Sequence, residues 1–320
     1  RRASRLPGPG TPRSDAHMFN ACHRKLDFAL VDVFANAPLR GNPLAVVDDG
    51  AGLDEDAMRR LALEFNQAET TFVLPPTTAR ANHRLRSFTA TGTEVFGAGH
   101  NALGAWWRLA STGRLGTLPE SALFHQEIGR EILPVTVRSS GGIPLSIEMK
   151  QSSPMWGPLV ACDEVLAAAL GLSPNDLSPE RVPAQVVSTG THHLMVPIVD
   201  REAVDRADPN APELRRQLLK ARAEGCYIFS LDPTAEGAVA YARFFNPVAG
   251  IREDPATGTA AGPLVSHLVA HRVVDDGSAA LVQQGVIMGR ESLLHVVVSG
   301  PSVALSGSCF TSSEGVVLID

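Results

Sequence analysis

Three side chains able to carry a proton stand beside turns of small residues in this sequence: Glu69, His100 and Asp254. Glu69 lies between a helical pattern and the β-branched run ETTFVL, with Phe65, Ala68, Phe72 and Val73 around it. A carboxyl group in apolar surroundings holds its proton more tightly and can serve as a general acid or base near neutral pH. The plain alternative is an exposed glutamate at a helix–strand junction. His100 follows Gly97-Ala98-Gly99, and Asp254 precedes Pro255-Ala256-Thr257-Gly258-Thr259. A histidine at a helix start is kept neutral by the helix dipole, or acts only as a hydrogen-bonding cap. The plain role for Asp254 is to cap a helix or a turn.

The two glycine turns are candidates in their own right. The first turn of a helix has unpaired N–H groups and a positive dipole end, and glycine lets a ligand approach the backbone. A carboxylate or phosphate is the natural guest. One such turn alone reads as tight helix packing; two at matched places, each beside polar groups, point to a shared cleft. GAGHNA (97–102) also fits GxGxxA. That fingerprint belongs after the first strand of a βαβ unit, whereas this turn follows several strands. Nicotinamide and flavin are therefore not expected.

Other chemistries lack their signatures. The sequence has no GxSxG elbow, no Walker A run and no HExxH. Cys22, Cys162, Cys226 and Cys309 are far apart and form no CxxC, which argues against a metal knuckle or a disulfide framework and makes a reducing cytoplasm the default. Cys162 and Cys226 read as packing residues. His192 and His193 are adjacent in a strand-like run, so they point to opposite faces and make a poor chelate. Net charge is −6 with Lys and Arg scattered, which gives no nucleic-acid or membrane-surface footprint. Apolar runs fall short of a spanning helix.

Periodicity supplies the elements that must hold these residues. Residues 1–25, rich in Arg, Pro and Gly, read as a disordered leader or tag, with a targeting peptide as the alternative. Strands are predicted at 28–34, after the Gly41-Asn42-Pro43 turn, and at 69–74 and 84–90. Leu53, Ala57, Leu61 and Phe65 predict an amphipathic helix ending near Asn66. A buried helix follows the first glycine turn, over 102–110. Strands at 121–128, 131–138 and 144–149 come next, then helices at 163–171 and 211–224. Strands are expected at 186–198, 226–231 and 241–247, a second small-residue helix at 263–270, and closing strands at 281–288, 293–298, 302–307 and 315–319. Each half thus runs from an aromatic-bearing strand through a polar loop and a glycine turn into a buried helix. This reads as a duplication of two α+β domains. Strands outnumber helices too heavily for a doubly wound sheet.

Four segments in order carry a resemblance: VDVFANAPLRGNPLAVV (31–47), ALEFNQAETTFVLPP (62–76), FTATGTEVFGAGHNALGAWW (88–107) and RFFNPVAGIREDPATGTAAGPLVSHL (243–268), with QGVIMGRES (284–292) beyond them. Together they resemble the PhzF-like family of phenazine biosynthesis, over roughly residues 28 to 319. The resemblance implies the diaminopimelate epimerase fold, with two pseudo-symmetric domains, each a barrel-like sheet around a central helix, and the active site between them. Residues 26–130 are then expected to form the N-terminal domain and 131–307 the C-terminal one, with a final strand near 308–320 returning to the first.

The resemblance also implies roles. Glu69 matches the catalytic glutamate, Asp254 the acid of DPATG and His100 the histidine of GH. Gly99, Gly258 and Thr259 would donate to the substrate's carboxylate. In the name-giving reaction the glutamate takes a ring proton from trans-2,3-dihydro-3-hydroxyanthranilate and returns it at a distant carbon, and the enol becomes a ketone. No metal or organic cofactor is implied. Charge building on the substrate would be stabilised by the two helix starts. Ala68 stands where the family usually has Ser, and GTEVFGAGHN replaces a proline-containing stretch. Both changes are expected to line the cleft and bear on which substrate fits. A two-thiol racemase or epimerase of the same fold is the first alternative, but its cysteine positions hold Ala98 and Pro255-Ala256. A non-catalytic binding protein is the second. The expected protein is a cytoplasmic isomerase of a small carboxylate, with no nucleic-acid or membrane partner and a homodimer as the default assembly.

Overall fold

The computed structural model describes residues 23–319. In chain order the first elements are β1 (Arg24–Val33), β2 (Asn42–Val47), α1 (Glu55–Phe65), β3 (Glu69–Leu74), β4 (His83–Thr89), β5 (Glu94–Val95) and α2 (His100–Ser111). Next are β6 (Ser121–Ile128), β7 (Glu131–Ser140), β8 (Ile143–Gln151), β9 (Met155–Leu159), α3 (Glu164–Ala169) and a short 3-10 turn at Pro174–Asp176. The second half continues with β10 (Gln185–Ser188), β11 (His192–Pro197), α4 (Arg201–Arg206), α5 (Ala211–Ala221), β12 (Gly225–Ser230), β13 (Ala238–Asn246), β14 (Ile251–Asp254) and α6 (Gly258–Ala270). The chain closes with β15 (Ala279–Gln284), β16 (Ser292–Ser299), β17 (Ser302–Gly307) and β18 (Cys309–Ile319).

Strand pairing repeats the same pattern twice. In one half the order is β18-β1-β2-β3-β4-β6-β7-β8, antiparallel except for β2/β3 and β4/β6. In the other it is β9-β10-β11-β12-β13-β15-β16-β17, antiparallel except for β11/β12 and β13/β15. Each parallel pair is bridged by helix, as a parallel crossover requires: α1 and α2 in the first half, α4–α5 and α6 in the second. The halves join where β8 pairs with β17. The class is α+β, each sheet curling around one helix.

The central helices explain the curl. In α2, residues Asn101 to Trp106 are all buried, and α6 buries nearly every residue from Gly258 to Leu268. A helix apolar all round must be enclosed. Trp106 is fully buried, which stabilises the core by about 2–3 kcal/mol, and its indole N–H donates to Gln126 Oε1 at 2.8 Å. Gly104 lets α2 lie against β1 and β2, since a Cβ there would sit 2.5 Å from Leu44 and 2.9 Å from Val33. The main core takes the inward residues of both sheets; smaller cores form where α1 packs outside the first sheet and α3–α5 outside the second.

The duplication extends to side chains. Arg86 on β4 makes a two-pronged ion pair with Glu94 on β5, at 2.6 and 2.7 Å, and lies 5.1 Å over the Phe88 ring. Arg243 on β13 does the same with Glu253 on β14, at 2.8 and 2.9 Å, and lies 4.9 Å over Phe245. Each set pins the short hairpin that delivers the chain to its central helix.

Several sequence-based boundaries move. Residues 131–151, placed with the second domain at a cut after 130, join the first sheet, β7 pairing with β6 and β8 with β7. The chain crosses between sheets after Gln151 and again after Gly307, and β18 pairs with β1 over ten register positions. That pairing also draws Arg24 and Lys25 into β1, out of the expected leader, whose residues 1–22 lie outside the described residues. Segment 186–198 is two strands, not one, because Gly190 has φ +141 in a turn between them. Strand 281–288 stops at Gln284, since Gly285 has φ +76 and a Cβ there would meet two carbonyl oxygens at 2.5 Å. The helix over 211–224 ends at Ala221, with Arg222 left-handed.

Candidate active site

Local sequence sets Glu69 where it is. Asp54 caps α1 by accepting from the Ala57 N–H at 2.8 Å, with Glu55 and Asp56 in the first turn. The helix ends at Asn66, left-handed at φ 49, and three residues later the chain enters β3 at Glu69. Alternation then decides the direction. Val73 faces α2 in the main core and Phe72 faces α1, so Glu69, two and four residues before Thr71 and Val73, points inward beside the start of α2. Its Oε2 is buried without a hydrogen-bond partner. Burial, and secondarily the Asp254 charge, push the Glu69 carboxyl up to about 8. The residue as a whole is half-buried.

Asp254 comes from the opposite half. It ends β14, where Asn42 Nδ2 donates to its Oδ1 at 2.8 Å and the Thr257 hydroxyl donates to its Oδ2. Burial raises its carboxyl to about 6, while the bonds from Thr257 and Asn42 hold it down. Asn42 also donates to the Ala256 carbonyl at 2.9 Å, fastening the first half to the start of α6. Gln284 holds the same loop from the other side: its Nε2 donates to the Asp254 carbonyl at 2.7 Å, and its Oε1 accepts from Tyr227 at 2.7 Å and from the Thr257 N–H at 3.1 Å.

The two helix starts differ. At α2, the expectation that Gly99 offers its N–H outward fails, because that N–H donates to Asn101 Oδ1 at 2.7 Å. Among the described residues, the first N–H groups left without an acceptor are those of His100 and Asn101. A Cβ on Gly99 would meet only Asn101 Oδ1, at 3.6 Å, so packing does not demand glycine there. Asn101 Nδ2 donates to Ser87 Oγ at 3.1 Å, and Ser87 bonds Thr71, which ties the helix start to the face that carries Glu69. His100 Nε2 is buried without a partner, and burial lowers its imidazole to about 4, so it is neutral at pH 7. At α6, Gly258 is a packing glycine: a Cβ would lie 2.5 Å from Leu305. The N–H groups of Gly258 and Thr259 have no acceptor among the described residues. The Thr259 hydroxyl is 3.2 Å from His193 Nε2.

Glu69 and Asp254 are therefore within electrostatic reach across the seam; Asp254 is bonded to the cap of α6, and the Asn101–Ser87–Thr71 chain links the start of α2 to the strand of Glu69. No hydrogen bond links Glu69, His100 and Asp254 to one another among the described residues. Asn42, Gln284, Tyr227 and His193 complete the surroundings and were not singled out from sequence as site residues. The usable signal for Asn42 and Gln284 was their glycine neighbours Gly41 and Gly285, both at positive φ. In the sequence, His193 reads only as half of an adjacent pair that makes a poor chelate. Ala68 is exposed.

A cavity of about 580 Å³ lies elsewhere, outside the second sheet, lined by Leu214, Arg243, Phe245, Ile251 and Glu253 among others. Asp254 is not among its lining residues. Arg243 is spent on Glu253 and on the carbonyls of Val204, Asp205 and Ala207. With its buried charges already paired, this cavity offers less chemistry than the seam. No group of three or more His, Cys, Asp or Glu among the described residues is arranged to hold a metal ion, and no helix there is long and apolar enough to cross a membrane.

Comparison with known proteins identifies the family. The family described as phenazine biosynthesis-like protein matches residues 31–315. The trans-2,3-dihydro-3-hydroxyanthranilate isomerase of Pseudomonas fluorescens is 30% identical over 298 residues, covering 92% of this chain and 99% of that one. The crystal structure of a Bacillus anthracis phenazine biosynthesis protein of the PhzF family superposes with a TM-score of 0.82 at 28% identity, over 92% of this chain and all of the other. A Pseudomonas aeruginosa protein described as a predicted epimerase gives a TM-score of 0.77 at 32% identity, with the same coverage.

Proposed function

Because the chain belongs to the phenazine biosynthesis-like, PhzF-type family of isomerases, we propose that it moves a proton on a small carboxylate-bearing substrate, with Glu69 as the carrier and trans-2,3-dihydro-3-hydroxyanthranilate as the type of molecule it accepts. The observation that carries this reading is the raised carboxyl of Glu69, its Oε2 buried and unpartnered, facing Asp254 from the other half. A carboxyl poised at about 8 is close enough to neutrality both to take a proton from carbon and to give it back.

In the proposed reaction the ionised Glu69 removes a proton from a C–H made acidic by conjugation to the carboxylate. The electron pair shifts through the conjugated system. Glu69 then returns the same proton to a different carbon, so nothing is gained or lost overall. In this reading the N–H groups opening α2 and α6 bind the carboxylate and the charge that builds on it. Neutral His100 can donate or accept one hydrogen bond without adding a charge. Asp254, held by Asn42 and Thr257, orients the substrate or shuttles a proton. No step of this scheme calls on a metal or organic cofactor.

The test is proton NMR in D₂O with trans-2,3-dihydro-3-hydroxyanthranilate. Isomerisation or deuterium uptake with wild type but not with Glu69→Gln is the expected result. Equal turnover by both would remove Glu69 from the mechanism. No reaction with either would remove this substrate and leave related amino and hydroxy acids to be tried.

A further inference from the structure

Position for position, His193 faces the inside of the second sheet as Leu44 faces the inside of the first. Met195, two residues on, lies in the main core, whereas Leu194 packs outward against α3–α5. His193 is 2% exposed. Its ring meets Phe244 edge-on, with centroids 4.9 Å apart, and sits so close to β12 that a Cβ on Gly225 would be 3.1 Å from Nδ1. Only one of its nitrogens has a partner: Nε2 is 3.2 Å from Thr259 Oγ1, and Nδ1 is buried with none.

That asymmetry selects a tautomer. Burial, with the neighbouring His192 charge second, keeps the ring neutral, its pKa lowered to about 3. A neutral imidazole carries one N–H. If the proton were on Nδ1, it would be a buried donor with nothing to accept it, a rare and costly state. A buried acceptor left unused is tolerated more often. The proton therefore belongs on Nε2, which donates to Thr259. A hydroxyl has a single proton and two acceptor sites. Once Oγ1 accepts from His193, its own proton is free to be given to something else, and Thr259 is partly exposed in the first turn of α6, beside N–H groups without acceptors.

We propose that His193 is a positioning residue that fixes the polarity of the Thr259 hydroxyl, so that Thr259 donates its proton to the anionic group of the substrate. With the reverse tautomer the same hydroxyl would donate back to His193 and present a lone pair to a carboxylate. The inference rests on the reading of the seam as a carboxylate-binding isomerase site.

Two measurements test it. The first is the nitrogen–proton correlation spectrum of wild-type protein labelled with ¹⁵N-histidine, with His193 assigned by its loss in His193→Gln. Protonated Nε2 and bare Nδ1 at pH 7 are expected; a proton on Nδ1, or on both nitrogens, overturns the proposal. The second is calorimetric binding of anthranilate, an unreactive aromatic carboxylate of the same skeleton. Thr259→Val and His193→Phe should each weaken it by roughly 10-fold, as for loss of a hydrogen bond to a charged group. His193→Gln, which keeps an amide donor, should retain most of the affinity. The double variant should be no weaker than Thr259→Val, because the two residues act as one unit. Unchanged binding by His193→Phe, or losses that multiply in the double variant, overturns the proposal. If wild type does not bind anthranilate, the carboxylate-substrate reading falls, and the tautomer spectrum alone decides the role of His193.

Discussion

Glu69 and Gly225 occupy the same place in the two halves of the fold. Each opens a strand that runs parallel to its neighbour, β3 beside β2 and β12 beside β11, and each follows a left-handed helix cap by three residues, Asn66 before Glu69 and Arg222 before Gly225. The duplication that repeats the Arg86–Glu94 pair as Arg243–Glu253 does not repeat the inward acid. A Cβ on Gly225 would already lie 2.3 Å from Phe244. Asp254 is likewise unmatched: it pairs with Phe244 as Val95 pairs with Ser87 in the first half. One carboxyl from each half therefore reaches the seam, at places that the pseudo-symmetry does not relate. A symmetric two-base exchange does not fit this arrangement, whereas a single carrier with a distinct second acid does.

Glu69→Gln should lower turnover by about 10²–10⁴-fold, the usual worth of a general acid or base, and should fold normally. It should also be the more stable protein in mild base. The folded carboxyl titrates near 8 and the unfolded one near its ordinary value of 4.5. Between those values the folded state binds the extra proton, so wild-type stability falls as pH rises through that window. Glutamine has no such dependence. Urea unfolding at pH 5 and pH 8.5 should show the variant gaining on the order of 1–3 kcal/mol relative to wild type between the two. An unchanged difference would mean that Glu69 is solvated.

The rate should carry the same signature. If Glu69 must be ionised to take a proton, kcat/KM rises with pH toward a midpoint near 8. Asp254→Asn removes a negative charge that opposes this ionisation, so the rising limb should move to lower pH even as the maximal rate drops. A limb that stays in place in Asp254→Asn would show that the two acids do not sense each other. The two midpoints belong to the pair, because groups this close titrate together.

Asn42→Leu separates geometry from charge. It removes the donors to Asp254 Oδ1 and to the Ala256 carbonyl, and should cost about 1–3 kcal/mol for the buried acceptors left behind. The Asp254 carboxyl loses a bond that holds its pKa down. More of it is then protonated at neutral pH, and the Glu69 limb should again shift to lower pH. Wild-type pH dependence in this variant would make Asn42 a purely structural clamp.

What sequence could reveal follows from range. Glu69, His100 and Asp254 each sit at a local feature, a helix end or a small-residue turn, and the duplication showed in the order of such features. The seam was harder to see because it is made by crossings. Strands β7 and β8 look like the start of a second domain until β6 claims them, and β18 returns across the whole chain to β1. His193 and Thr259 are 66 residues apart, and Asn42 and Asp254 are 212 apart. Neither contact has a periodic trace, since polar pairing across a fold leaves no hydrophobic pattern. Gly99 was misread for a local reason: the Asn101 side chain, two residues on, takes the very N–H that the turn would otherwise offer.

Arg243→Met should be the most disruptive change away from the seam. Arg243 is 6% exposed, pairs with Glu253 and donates to the carbonyls of Val204, Asp205 and Ala207, so its loss strands four acceptor groups at once. Removing one partner of a buried pair costs about 3–5 kcal/mol. Its counterpart Arg86 makes the same two-pronged pair but shares its charge with the exposed Glu55 and bonds no carbonyl, so Arg86→Met should cost less, about 1–2 kcal/mol. Because Glu253 is the neighbour of Asp254 on β14, Arg243→Met should also lower kcat, while Arg86→Met, next to a hairpin that carries no acid to the seam, should leave it within about 3-fold. Equal losses of stability in the two variants, by urea unfolding, would mean that the carbonyl bonds of Arg243 contribute nothing beyond its ion pair.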